Sequence, residues 1–262
     1  NIAVTVNPLP EATASGNSPV CINETINLSA SGGVSYSWTG PDSFSSTLQN
    51  PSIAGATTSM SGTYVVTVTT SYGCTAQAGT TVTVNEQLIA SVIGGSSPVC
   101  YNTSPGTLTA RGAGGTGSYN FLWYKDGNST GVTTSTYNPG QLTAATQIYC
   151  RVTSGSCGTV NSNTVAITVY DNLTASVTGG LSPICYNVSP GTLTVTPGGG
   201  TLSYTYLWYK NGISTGITTA TYNSGALTAT SEIYCAVTSG TCGTVNSDIR
   251  EVVVIPPLII TS

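Results

Sequence analysis

The residues with the most chemistry in this chain are eight cysteines, at positions 21, 74, 100, 150, 157, 185, 235 and 242. Thiols bond one another, hold soft metal ions or attack substrates as thiolates. A zinc site is built from Cys-x-x-Cys pairs, often with His; no such pair occurs, and the chain has no His at all. The same lack removes the usual base for a Ser or Cys nucleophile. Nine Asp and Glu are dispersed between Glu11 and Glu251. They suggest neither the facing carboxylate pair of a glycosidase nor a calcium loop. The glycine runs Gly112–Gly117 and Gly198–Gly200 lack a following Lys-Ser/Thr, so they read as loops and not phosphate cradles. Five Lys and Arg and a net charge of −4 leave no basic stripe for nucleic acid. The expectation is a non-enzyme without metal or cofactor, and the chemistry left to the cysteines is disulfide formation.

The elements that must position them are strands. Only 5% of the 262 residues are charged, 39% are hydrophobic, and Thr, Val and Tyr abound, a mix suited to half-buried strands. Widely spaced cysteines in such a chain point to an oxidising, extracellular setting. No segment carries the roughly 18–20 apolar residues of a membrane helix.

The cysteines also expose a repeat. Cys100, Trp123, Cys150 and Cys157 recur 85 residues later as Cys185, Trp208, Cys235 and Cys242, with close agreement between (LWYKDGNSTG against LWYKNGISTG). A more distant first copy keeps Cys21, Trp38 and Cys74 in the same order. The reading is a domain at 9–86, a second at 87–170 and a third at 171–255. Residues 1–8 are read as the closing strand of a preceding unit (Ile2–Val6) and its linker, and 256–262 as an exit linker, in an array expected to extend both ways. Within the second copy, alternation predicts strands near Leu88–Ile93, Thr107–Ala110, Tyr119–Lys125, Thr133–Asn138, Gln147–Ser154 and Thr159–Val169. Asp126-Gly127 and Asn211-Gly212 are predicted hairpin tips. Six or seven short strands with one Trp on the third predict an all-β fold: three tandem immunoglobulin-like sandwiches in an elongated array, with Trp38, Trp123 and Trp208 in the cores.

In the first copy the pattern reads Cys21, Leu28-Ser29-Ala30, Trp38, Gly62-Thr63-Tyr64 and Gly73-Cys74, and it runs through all three. It resembles the Ig-like and PKD-like repeats of giant surface proteins of Bacteroidota, including gliding-motility adhesins exported by the type 9 secretion system. The resemblance implies a bacterial cell-surface location and a stalk or adhesive role in a filament-like protein. Two other roles stay open: a carbohydrate-binding accessory of a polysaccharide-degrading enzyme, and a phage or appendage decoration domain.

An ordinary immunoglobulin domain bridges mid-strand B to mid-strand F. Here strand F supplies Cys150 and Cys235, but strand B offers Ala110 and Val195. Cys150 and Cys235 are therefore read as buried free thiols that fill the core. Cys21, Cys100 and Cys185 fall in the A–B connection, and Cys74, Cys157 and Cys242 at the F–G turn. In a sandwich those loops lie at opposite poles, about 20 Å apart for a six-residue strand. A disulfide needs Cα atoms within about 7 Å. In a tandem array the F–G turn of one unit faces the A–B loop of the unit before it. The reading leans slightly to Cys21–Cys157 and Cys100–Cys242, leaving Cys74 and Cys185 for further repeats. Pairing within each unit (Cys21–Cys74, Cys100–Cys157, Cys185–Cys242) stays open.

One surface feature remains. Alternation pushes Tyr124 and Tyr149 outward in the second copy, and Tyr209 and Tyr234 in the third. They are candidate binding residues for surface glycans or for neighbouring filament chains.

Overall fold

Period-two alternation places one side of each segment indoors, so strands are what this sequence can form. The computed structural model describes residues 6–258. The strand expected at Ile2–Val6 lies, Val6 apart, outside the described residues, as do the last four positions of the 256–262 segment. Among the described residues the only helical turns are three single turns of 3-10 helix: Thr58–Met60, Gly155–Cys157 and Gly240–Cys242. The chain divides into two compact units, one made of Asn1–Ile93, Leu108–Tyr137 and Ile148–Val165, the other of Gly94–Thr107, Asn138–Gln147 and Ala166–Ser262. The division therefore runs through the second sequence copy.

In the first unit, Thr13–Gly16 pairs antiparallel with Ile26–Ser31, which pairs with Ser52–Ile53. A second sheet runs in the order Ser45–Ser46, Ser35–Thr39, Gly62–Thr69, Thr75–Val82. Ile26, Leu28 and Ala30 alternate inward from one sheet, and Trp38, Tyr64, Val66 and Val68 meet them from the other. Each of the larger side chains contributes about 1.5–3 kcal/mol by leaving water. A short parallel pair, Val20–Cys21 with Val84–Asn85, completes the immunoglobulin-like plan.

The plan recurs with residues of the second copy, most of them in the same unit. Ile89–Gly94, Leu108–Ala113 and Thr136–Tyr137 form one sheet; Asn128–Ser129, Asn120–Lys125, Thr146–Thr153 and Thr159–Asn161 run in order through the other. Asp126 (φ 50°) and Gly127 (φ 78°) turn the hairpin in the left-handed region, as the Asp-Gly pair predicts. The single strand expected over Thr159–Val169 is instead two, Thr159–Asn161 and Val165–Ile167. The residues between are polar and spend their side chains elsewhere. Cys150 N donates to Ser162 Oγ (3.0 Å), while Asn163 accepts from Val92 N (2.8 Å) and donates to Val92 O (3.1 Å). The break thus fastens strand Ile89–Gly94.

In the second unit, Thr174–Gly179, Thr192–Gly198 and Thr221–Asn223 make one sheet, and Ile213–Ser214, Thr205–Lys210, Ser231–Thr238 and Thr244–Asn246 the other. Its core gathers Val177, Leu193, Val195, Trp208, Ile233, Cys235 and Val237. Ile184–Cys185 runs parallel to Val254–Ile255, and Val99 bridges Val169 in the same parallel sense.

Candidate functional site

The cysteines stand where strand ends and turns put them. Cys21 closes the short strand Val20–Cys21, in parallel register with Asn85; its N–H donates to Glu24 Oε2 at 2.9 Å, and Glu24 N returns to Cys21 O at 3.0 Å. Cys185 has the same place beside Ile255, and Cys100 follows the Val99–Val169 bridge. These three were expected in the A–B connection. Within that connection they lie on or directly after a short strand or single bridge parallel to the end of their copy, too brief for alternation to reveal. Cys157 and Cys242 end the 3-10 turns Gly155–Cys157 and Gly240–Cys242, and Cys74 lies in the turn after strand Gly62–Thr69.

Two disulfides form, each inside one compact unit. Cys21 is bonded to Cys157 in the first and Cys100 to Cys242 in the second, with Cα atoms 5.3 Å apart in both. Each joins one sequence copy to the next, across 136 and 142 residues of chain. None of the three within-copy pairs is formed. Beside the first bond, Asn85 Nδ2 approaches Cys157 Sγ at 3.8 Å, and Ser156 Oγ lies 3.7 Å from Cys21 Sγ. A shallow cleft of about 200 Å³ opens there, bordered by Cys21, Ile22, Glu86, Leu88, Cys157 and Val160.

The turns that carry Cys157 and Cys242 are braced by residues to which sequence reading gave no role. Ser154 is fully buried, and its hydroxyl accepts the Thr116 N–H at 2.9 Å. Ser239 does the same for Thr201 N at 2.9 Å. Tyr119 donates to Gly114 O (2.9 Å) and Tyr204 to Gly199 O (2.7 Å). The glycine runs therefore do have work. Gly115 N donates to Glu86 O and Gly200 N to Asp171 O, each at 2.9 Å, and a Cβ on Gly114 or Gly199 would strike the carbonyl oxygen of Gln87 or Asn172. With φ near +70° and no side chain, these positions let the segment leading into the copy lie directly on its loop. The equal spacing of the two runs ahead of the Trp strand was the available signal.

The four remaining cysteines are unbonded. Cys150 and Cys235 are fully buried opposite Trp123 and Trp208, and burial pushes both thiols above their ordinary pKa. Cys74 is half-buried and Cys185 exposed. Trp38, Trp123 and Trp208 are wholly buried. Trp123 Nε1 donates to Thr134 O and Trp208 Nε1 to Thr219 O, both at 2.8 Å, while Trp38 Nε1 has no partner.

Tyr124 and Tyr149 are brought together as a cross-strand pair, rings parallel and 4.9 Å apart; Tyr209 and Tyr234 repeat it at 4.9 Å. Arg151 donates to Tyr124 Oη at 3.0 Å and lies 5.5 Å from that ring's centre. All four rings are half-buried, and each turns one face to its partner. Among the described residues no group of three or more Cys, Asp or Glu is placed to hold a metal ion, and no helix is long and apolar enough to cross a membrane.

A family described as a domain of unknown function, DUF8696, matches residues 89–171. No curated protein matches the chain. Among solved structures, an I-band fragment from titin superposes with a TM-score of 0.54 at 11% identity, covering 94% of this chain and 99% of that one. A three-immunoglobulin titin fragment in an E-to-A mutated variant reaches 0.53 at 11% identity, with 96% and 100% covered. That likeness sets the class: an all-β chain of tandem immunoglobulin-like domains.

Proposed function

We propose that this chain is a chemically inert spacer, a run of immunoglobulin-like repeats in a large secreted surface protein. It gives reach and mechanical strength outside a bacterial cell, in the manner of the Bacteroidota adhesins its motifs resemble. The observation that carries this reading is the pair of cystines, each tying one copy of the repeat to the next. Such bonds add about 2–4 kcal/mol each by restricting the unfolded chain, and they survive in oxidising surroundings. Nothing in their placement serves a reaction, whereas a bond between successive copies serves a chain under tension.

A glycan-binding accessory would draw on the tyrosine pairs, whose rings stack on each other and so give up one face each to the partner. The test joins a glycan array to single-molecule pulling. The spacer reading expects no sugar binding that Tyr124→Ser with Tyr209→Ser abolishes, and mechanical resistance that Cys21→Ser with Cys100→Ser lowers. Tyrosine-dependent glycan affinity, or resistance indifferent to the cystines, overturns it.

A further inference from the structure

Each cystine uses two different half-sites. One is a cysteine at the end of the short parallel strand; the other is a cysteine at the turn of the following copy. Counting along the chain leaves one of each unused: the turn cysteine of the first copy, Cys74, and the strand-end cysteine of the third, Cys185.

Cys185 is set as Cys21 is. Val20 and Cys21 face Val84 and Asn85; Ile184 and Cys185 face Val254 and Ile255. Ile22 N donates to Asn85 O at 3.1 Å and Tyr186 N to Ile255 O at 3.0 Å. The next residues, Asn23 and Asn187, take φ of 69° and 59° and donate to Ala56 O and Leu227 O, both at 2.8 Å. The difference is exposure: bonded Cys21 is 6% exposed, and Cys185 stands open.

The second half-site carries its own mark. Asn85, register partner of Cys21, contacts the sulfur of Cys157. Asn85 ends the sequence Val82-Thr83-Val84-Asn85, and the same four residues recur as Val4 to Asn7. Cys74 Sγ lies 3.9 Å from Asn7 O, so the turn cysteine of the first copy rests on the same residue type in the same motif as Cys157 does. The turn itself is offset by one place. Thr70 N donates to Cys74 O, whereas Ser154 N donates to the oxygen of Gly158, one residue beyond Cys157.

We infer that Cys185 and Cys74 are complementary half-sites of one junction type, each made to bond the opposite half-site of another copy of this repeat, so that two molecules of this chain can supply them to each other as Cys185–Cys74. The inference rests on the spacer reading and names its partner. A low-molecular-weight disulfide such as oxidised glutathione is the oxidant. The Cys185 thiolate attacks it and releases one glutathione thiolate. The Cys74 thiolate of the second molecule then attacks the Cys185 sulfur of the mixed disulfide and releases the other. Two protein thiols are oxidised to one disulfide while one glutathione disulfide is reduced to two thiols. An unclosed head-to-tail contact of this kind propagates instead of stopping at a pair.

The whole chain, Cys74→Ser and Cys185→Ser are each incubated with oxidised glutathione and run without reductant, followed by peptide mapping. The parent chain is expected to give a series of dimer, trimer and higher species. Each variant alone stays monomeric. Their equal mixture stops at a dimer, with roughly tenfold more of it than either variant alone and a Cys74–Cys185 peptide in the digest. No dimer in the mixture, the same dimer in one variant alone, or a Cys74–Cys185 bond within a monomer overturns the inference. If Cys21–Cys157 and Cys100–Cys242 map in that failed digest, the spacer reading survives it; if they do not, both fall.

Discussion

At the scale of single residues, the three buried tryptophans are not equivalent. Trp123 and Trp208 give their indole N–H to a backbone carbonyl, whereas that of Trp38 is buried unpaired. Replacing Trp123 by Phe strands Thr134 O as well as losing volume; replacing Trp38 by Phe removes an unsatisfied donor. Trp123→Phe should therefore cost about 1 kcal/mol more than Trp38→Phe, read from the variants' denaturant midpoints. The buried thiols make a pH prediction. Burial raises the Cys150 pKa above its ordinary 9.0, so the unfolded chain gives up its proton first as pH rises. The stability from keeping this thiol neutral is complete below pH 9.0 and is lost as pH climbs from there through the folded value. Cys150→Val should flatten that alkaline fall in melting temperature. Iodoacetamide at pH 8 should label Cys74 and Cys185 and leave Cys150 and Cys235 untouched until denaturant is added.

At the scale of elements, the loops are as specified as the strands. Gly114→Ala places a methyl against Gln87 O at a positive φ, and Gly114 is the seat of the segment leading into the second copy. The expected cost is about 2 kcal/mol, with faster reduction of Cys21–Cys157 by dithiothreitol. Ser154→Ala, which strips the brace from the Cys157 turn, should act in the same direction by about 1 kcal/mol. Much of this level could be read from the sequence. Alternation located the long strands, Asp126-Gly127 located a hairpin, and the 85-residue offset aligned Trp123 with Trp208. What alternation could not show was anything two residues long or dependent on close approach. The strand Val20–Cys21 is too short to have a period, and the use of Gly114 depends on a carbonyl 27 positions away. The split at Ser162 and Asn163 was hidden because their side chains bond Cys150 and Val92. The candidate site was more legible than its scaffolding, because the two poles of a sandwich lie too far apart for one cystine to span.

At the scale of the whole molecule, the two cystines overlap: the loop closed by Cys21–Cys157 contains Cys100, and the loop closed by Cys100–Cys242 contains Cys157. Once the domains unfold, the shortest covalent route between the ends runs to Cys21, across to Cys157, back to Cys100 and across to Cys242. At about 3.5 Å per extended residue, that route reaches about 340 Å, and the reduced chain about 910 Å. Optical-trap pulling should show the oxidised chain stopping at a little over a third of the reduced extension.

The overlap has a second consequence, which concerns peptidases and not tension. Any one backbone scission between Cys21 and Cys242 falls inside at least one of the two rings, so both pieces stay on a single covalent particle. Light trypsin cutting after Arg111, Lys125, Arg151 or Lys210 should leave full mass on a non-reducing gel and release fragments only with reductant, whereas a cut after Arg250, outside both rings, sheds residues 251–262 at once. A protein so knotted can be bitten once in its exposed loops without shedding what it holds.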